Sequence, residues 1–259
     1  MIANYHTHTY RCHHATGTER EYIENAIAGG LKILGFSDHT PQFYDGGFVD
    51  RDKMLPSELE GYVNTILALK NEYKNEIEIH LGLEVEYYPA YFGRLIEFAG
   101  QFPIEYFILG QHHLGNEIGD VTSGIETHDV SVLQRYTAQC AEALATGRFT
   151  YLAHPDLINF VGDEAIYEKE MRKLCLCAKR LGVPLEINFL GIWTHRNYPN
   201  PLFWKIAGEV GNEVVYGSDA HRPDKVWNPE ALAEAEKITA ANRLHVLGTV
   251  ELVNPFQDK

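Results

Sequence analysis

Lys32-Ile33-Leu34-Gly35-Phe36-Ser37-Asp38-His39-Thr40-Pro41 is a short apolar run of β type that ends on a carboxylate and an imidazole. The N-terminal Ile2-Ala3-Asn4-Tyr5-His6-Thr7-His8 has the same shape, an extended run followed at once by metal-binding side chains. The pattern recurs. Ile77 to Leu83 precedes Glu84, Tyr106 to Leu109 precedes His112 and His113, and Thr150 to Ala153 precedes His154. Pro184 to Ile187 ends on Glu186 and Asn188, Glu213 to Tyr216 precedes Asp219 and His221, and a weaker run lies near His245 to Leu247. The intervening segments have helical periodicity. Thr18-x-x-Glu21 and Ser57-x-x-Glu60 read as capping boxes. Gly29-Gly30, Gly147 and Gly182 stand where helices should stop, in the left-handed conformation. Strand and helix alternating in this way imply a parallel sheet with right-handed crossovers. At 259 residues that pattern predicts one α/β domain over residues 1–259, closed as a TIM-like barrel. Such barrels carry their chemistry at the C-terminal ends of the strands, where these polar residues fall.

Hydrophobic residues make up 45% of the chain, enough to fill a core, yet no stretch approaches the roughly 18 consecutive apolar residues of a membrane helix. Met1-Ile2-Ala3-Asn4-Tyr5-His6 lacks the basic segment and apolar core of a signal peptide, so a cytoplasmic location without a membrane partner is expected. A net charge of -14 with no basic run argues against nucleic acid as a partner. Cys12, Cys140, Cys175 and Cys177 contain no Cys-x-x-Cys pair and read as free thiols of a reducing compartment. The anomaly is the thirteen histidines.

Residues two apart on an extended chain point the same way, so His6 and His8 can grip one ion. Asp219-Ala220-His221 repeats the spacing with a hard oxygen, a donor set suited to Zn²⁺, Mn²⁺ or Fe²⁺. Glu84 offers a carboxylate able to bridge two metals, with Glu86 on the same strand face, while His39 and His154 add single ligands. Any one of these residues reads equally well as core or surface; so many at consecutive strand ends do not. Asp38 and Asp156 are candidates to orient neighbouring histidines or to cap helices. Arg196 and Arg222 fall in strand-end loops, where they suit either a phosphate clamp or a surface ion pair. His195 is a candidate general acid or an ordinary loop histidine. His80, His128 and His245 are expected outside the site, and Phe43-Tyr44 and Tyr87-Tyr88 either line a pocket or pack.

His6-Thr7-His8, His14 in the next loop, Ser37-Asp38-His39-Thr40-Pro41, Gly82-Leu83-Glu84, Gly110-Gln111-His112, Ala153-His154-Pro155-Asp156 and Gly217-Ser218-Asp219-Ala220-His221 resemble, in order, the motifs of the PHP (polymerase and histidinol phosphatase) superfamily. The Gly-Gln-His and Glu-Ile-Asn segments are most similar to those of its monofunctional histidinol-phosphate phosphatases. The resemblance implies a distorted (β/α)7 barrel with three divalent metal ions, zinc, manganese or iron, alike or mixed. It gives one ion His6, His8, Glu84 and Asp219, a second Glu84, His112 and His154, and a third His14, His39 and His221. His13 beside His14 and His113 beside His112 are alternatives, and the Gly-x-Glu pattern favours Glu84 over Glu86.

The reaction so implied is hydrolysis of L-histidinol phosphate to L-histidinol and phosphate, a step of histidine biosynthesis. The attacking group would be a metal-bound hydroxide held by Glu84, His6, His8 and Asp219. With Glu84 and Asp219 as the nearest anions, three divalent cations would leave the pocket positive, and an acidic protein could still attract a small phosphate ester. Two alternatives stand beside this reading: a PHP phosphoesterase acting on another small ester or a nucleotide, and a non-catalytic metal-binding module. Amidohydrolases also open on His-x-His but usually place a lysine where Gly110-Gln111-His112 stands. Oligomeric state is not legible.

Overall fold

The computed structural model describes residues 1–257. Its strands are β1 (Ala3–Asn4), β2 (Ile33–His39), β3 (Glu78–Val85), β4 (Tyr106–Leu109), β5 (Tyr151–Leu152), β6 (Leu185–Asn188), β7 (Glu213–Gly217) and β8 (His245–Val246). All pair in parallel, each with the next in sequence. The helices are α1 (Glu19–Ala28), α2 (Leu59–Glu72), α3 (Pro89–Ala99), α4 (Val130–Ala145), α5 (Glu164–Leu181), α6 (Phe189–Trp193), α7 (Pro201–Val210) and α8 (Pro229–Asn242). The expected runs all form strands, within a few residues of their ends. None of the helices among the described residues is long and apolar enough to cross a membrane.

The curled sheet closes at one end. Beyond β1 and β7 the chain makes a parallel bridge between Thr7 and Ala220, in which the His8 amide donates to the Ala220 carbonyl at 3.0 Å. Asn4 clips this seam: its Nδ2 donates to Thr7 Oγ1 at 2.8 Å and its Oδ1 accepts from the Ser218 amide at 2.9 Å. The closure therefore joins β7 to β1, as in a distorted (β/α)7 barrel, and β8 is a two-residue addition to the other side of β7.

Apolar residues fill two layers. The larger lies between sheet and helices; the smaller, Ala3, Tyr5, Tyr106, Ile108, Tyr151, Ala153 and Val215, fills the barrel interior. Tyr106 organises the inner layer, its hydroxyl donating to the Tyr5 carbonyl at 2.7 Å. Its ring lies where Gly35 and Gly82 have no side chains: a Cβ on Gly82 would sit 2.3 Å from it.

Thr18 and Glu21 form the expected capping box. Ser57 does not cap. The chain enters α2 through a 3₁₀ turn, Pro56–Glu58, in which Glu58 accepts from the Leu55 amide at 2.8 Å. Proline at the first position favours that tight turn and shifts the helix start to Leu59. Gly30, Gly147 and Gly182 take the left-handed conformation, but Gly29 is right-handed at φ −75°. Gly29 instead makes room for Trp227, whose Cγ a Cβ would meet at 2.3 Å.

Replacing Asn4 by alanine strands the polar groups of the seam and should lower unfolding free energy by about 1–3 kcal/mol in urea titrations. Gly82→Ala should cost a similar ~1–3 kcal/mol by overpacking. Gly61→Ala, on an exposed face of α2 with nothing within 4 Å, should stabilise the protein by about 0.5–1 kcal/mol in the same assay.

Candidate metal centre

The bridge through Thr7 turns the side chains on either side of it, His6 and His8, inward and places them against Asp219 on the opposite strand. His8 Nε2 lies 3.0 Å from Asp219 Oδ1, and His6 Nε2 lies 3.5 Å from the same oxygen. Glu84, at the end of β3, stands in the middle. Its Oε1 faces His154 Nε2 at 2.9 Å, His6 Nε2 at 3.6 Å and His112 Nε2 at 3.7 Å. Its Oε2 faces His39 Nδ1 at 2.9 Å and His8 Nε2 at 3.6 Å. His14 and His221 meet at the rim, Nε2 to Nε2 at 3.0 Å.

Several groupings have donor atoms within 4.8 Å of one another, among them His6, His8 and Asp219; His6, Glu84 and His154; His14, His39 and His221; and one that takes in a thiol, His8, Cys12 and His221. His8, His39 and Glu84 form a further one, so His39 lies between the central carboxylate and the rim. These residues fit divalent cations on a direct test. His6 Nε2, His8 Nε2 and Glu84 Oε2 are buried, and their contacts to the neighbouring acids and imidazoles are not aligned as hydrogen bonds, a condition that costs roughly 1–3 kcal/mol per group unless something binds them.

Two glycines are dictated by this crowding. A Cβ on Gly110 would lie 1.9 Å from Glu84 Oε1, and one on Gly217 would lie 1.8 Å from Glu186 Oε1. His154 and Asp219 are held at positive φ, 29° and 48°, strain of a kind that persists where the surroundings over-determine a functional residue.

The ambiguous pairs separate. His13 is turned out, its Nε2 3.4 Å from Glu58, while His14 faces the cluster. His113 faces Glu86 at 3.5 Å, whereas His112 reaches towards Glu84. Glu86 stands behind the ligands, 3.0 Å from His112 Nδ1. Asp38 has a similar position, 3.4 Å from His8 Nδ1, and accepts from the Thr9 amide and hydroxyl. Asp156 orients no histidine; it accepts from the Asn200 amide at 2.5 Å and so anchors the segment leading into α7. Burial pushes its carboxyl up to about 7.

Sequence reading places Glu186 at a strand end but gives it no role. Glu186 accepts from His6 Nδ1 at 2.8 Å, the His154 amide at 3.0 Å and Asn188 Nδ2 at 2.8 Å. The available signal was its spacing of two from Asn188, which puts both on the inner face of β6. His6, His8 and His112 thus each have a carboxylate behind the ring, an arrangement that selects the tautomer and raises basicity.

Burial alone would disfavour charge on Glu84, yet His39, His112 and His6 hold it well below the usual carboxylate range. Asp219 is likewise held down against burial, by His6 and His8. Burial pulls His6 down, but Glu186, Asp219 and Glu84 overcome it and push the imidazole up to about 10. Towards the rim the balance reverses. Burial takes His39 down to about 4, Glu84 opposing and His8 reinforcing, and burial also lowers His14 and His221.

The outer members of the cluster, His14, His39, His112, Asp219 and His221, line a cleft of about 860 Å³, walled also by Phe48, Trp193, Tyr198, Asp50 and Asp52, while His6, His8, Glu84 and His154 lie buried. Those acids, with Asp38, Glu86 and Glu186 behind the candidate ligands, make the pocket less positive than Glu84 and Asp219 alone implied, although Lys53 offsets Asp50, Glu86 and Glu117 in part. Arg196 lines the cleft with Nη1 2.9 Å from the Tyr198 hydroxyl. Arg222 lines it from the rim, paired with Asp224 at 3.0 and 3.1 Å. His195 is exposed and is not among the lining residues. His80 and His245 pair with Glu78 and Glu213 away from the site, and His128 is exposed. Tyr87 bonds Glu142, and Tyr44 packs on Phe48 and Tyr88. The four cysteines are free thiols.

Known proteins share this architecture. The chain is 32% identical over 237 residues to a probable histidinol-phosphatase of Deinococcus radiodurans, covering 87% of this chain and 88% of that one. It is 24% identical to the histidinol-phosphatase of Bacillus subtilis, covering 85% and 94%. In fold it is similar to the crystal structure of histidinol phosphate phosphatase from Lactococcus lactis complexed with zinc, L-histidinol and phosphate, with a TM-score of 0.75 over 100% of this chain and 98% of that one at 20% identity. The PHP domain profile matches residues 4–189, which carry His6, His8, Glu84, His112, His154 and Glu186. By that match, and by its likeness to the Deinococcus protein along most of both chains, the protein belongs to the PHP domain family.

Proposed function

We propose that this protein is a metal-dependent phosphomonoesterase that hydrolyses L-histidinol phosphate to L-histidinol and inorganic phosphate in histidine biosynthesis. The observation that carries the reading is the convergence of buried imidazole and carboxylate atoms around Glu84, next to a cleft that His14, His39, His112, Asp219 and His221 line. The names of the relatives support the substrate. One domain over residues 1–259 is part of the reading, supported by a sheet that runs from β1 to β8 without a break.

Three divalent cations, zinc, manganese or iron, would be held by His6, His8, Glu84 and Asp219, by Glu84, His112 and His154, and by His14, His39 and His221. The chemistry such ions would supply there is a coordinated water of pKa towards about 7 and neutralisation of phosphoryl oxygens, the two requirements of a slow phosphate-ester hydrolysis. The protein's own part is to hold the donors in place. Glu186, Asp38 and Glu86 each take up the Nδ1 side of one imidazole and leave its Nε2 facing the site. Arg196 and Arg222 are the proposed contacts to phosphate oxygens. Arg222 can leave Asp224 cheaply, because an exposed ion pair contributes at most about 1 kcal/mol. Asp52, with Trp193 and Tyr198, suits an ester whose organic part carries an ammonium and an imidazole. The reaction is assigned to the cytoplasm, in keeping with the free thiols.

Phosphate release from L-histidinol phosphate should exceed that from sugar phosphates, nucleotides and an aryl phosphate by more than about 10-fold in kcat/KM with Zn²⁺ or Mn²⁺ present, a preference of ~1.4 kcal/mol. His6→Ala/His8→Ala should lose at least about 100-fold and bind less metal in the same sample. Even, weak activity over the panel would move the assignment to another small ester, and bound metal without turnover would leave a non-catalytic metal module. Glu186→Gln keeps the shape but removes the charge behind His6. Its metal affinity, read by chelator competition, should fall about 10–100-fold with little change in far-UV circular dichroism.

A further inference from the structure

Lys53 lies in the segment between β2 and α2, and its side chain is only 6% exposed. Its Nζ is 3.0 Å from Glu86 Oε1, touches Glu117 and is 3.5 Å from Asp50 Oδ2, with the Tyr88 ring 5.5 Å away. Glu86 Oε1 is shared: the same oxygen is 3.0 Å from His112 Nδ1. Glu86 Oε2 accepts from the His113 amide at 3.1 Å and from the Tyr88 hydroxyl, which also lies 3.0 Å from Glu117. One buried ammonium therefore joins the loops that follow β2, β3 and β4, and only Glu86 stands between it and His112.

His112 differs from its neighbours in how it is held. The side chains of His6 and His8 are fully buried and that of His154 is 1% exposed, so packing restrains their rings in addition to the carboxylates behind His6 and His8. His112 is 25% exposed and takes its orientation from the bond to Glu86. We propose that Lys53 is a positioning residue of the metal centre. By neutralising Glu86 and Glu117 together it keeps Glu86 against His112 Nδ1, so that His112 presents Nε2 to the cation site beside Glu84. Without Lys53, two buried carboxylates share one phenol hydroxyl with no cation between them. Removing one member of a buried charge cluster strands its partners, and they move towards water. Glu86 then leaves His112, whose ring is free to turn. The inference rests on the reading of His112 as a ligand, and it does not depend on which ester is the substrate.

The test uses the full chain with p-nitrophenyl phosphate as probe and metal content measured after dialysis. Lys53→Met should bind about one divalent ion fewer per chain than the parent, with kcat lower by about 10–100-fold and KM changed less than about 2-fold. Lys53→Arg, which restores the charge, should recover most of the metal and activity. Glu86→Gln should reproduce the loss, and the Lys53→Met/Glu86→Gln pair should lose little more than either alone. A full metal complement and unaltered kcat in Lys53→Met, additive losses in the pair, or no recovery in Lys53→Arg would each overturn the role. If Lys53→Met does not fold, judged by circular dichroism, Lys53→Gln takes its place with the same expectations. A parent chain that binds three ions but does not hydrolyse histidinol phosphate would remove the substrate assignment and leave this inference standing. A parent that binds none would overturn the metal centre and the role of Lys53 with it.

Discussion

The bridge between Thr7 and Ala220 is the contact on which the rest of the molecule depends. Parallel strands order themselves by their crossovers, but a crossover cannot join the last strand of a barrel to the first; that junction must be made by the backbone itself. Here it is made at the end of the sheet that carries the chemistry, with His8 donating to the Ala220 carbonyl and Asn4 holding both Thr7 and Ser218. The register of this one bridge sets His6 and His8 beside Asp219 and His221. A slip of one residue would turn each of these pairs to the other face.

What the seam assembles is electrostatically costly. Carboxylates and imidazoles lie within about 3 to 4 Å of one another and out of water, and each is tolerable only through the others. Glu84 stays ionised because imidazoles surround it, and His6 takes a high affinity for a proton because carboxylates surround it. Such a cluster is poised for exchange: cations with two charges answer the same anions more completely, and the nitrogen lone pairs need a metal or a proton in any case. The left-handed backbone at His154 and Asp219, and the missing side chains at Gly110 and Gly217, are the local concessions that bring the donors this close.

Behind the candidate ligands, the carboxylates Glu186, Asp38 and Glu86 each hold one imidazole in a defined orientation. They differ in their own support. Glu186 and Asp38 are fully buried among backbone amides and hydroxyls, whereas Glu86 faces the cleft wall and relies on Lys53 and Tyr88. The centre is therefore built most firmly around Asp38 on β2 and Glu186 on β6, and depends most on side chains in the loops after β2, β3 and β4.

Read alone, the sequence determined the order of strands and helices, the barrel class and a set of candidate donor residues that the fold brings together. Each follows from information local to the chain: apolar runs of strand length, caps, and histidines or acids two apart at the end of an extended segment. It did not decide between His13 and His14 or between His112 and His113, because neighbouring residues satisfy any spacing rule equally. Backbone direction separates them, with His13 at positive φ facing Glu58 and His14 facing His221. Local reading also gave Ser57 a cap that Pro56 displaces, and it offered Asp156 as an orienting carboxylate when that role belongs to Glu186. Glu186 lies 180 residues from the ring it holds, and Lys53 reaches His112 only through Glu86. Contacts of that kind are created when the sheet curls and closes, so no window of sequence contains them; they belong to the tertiary structure alone.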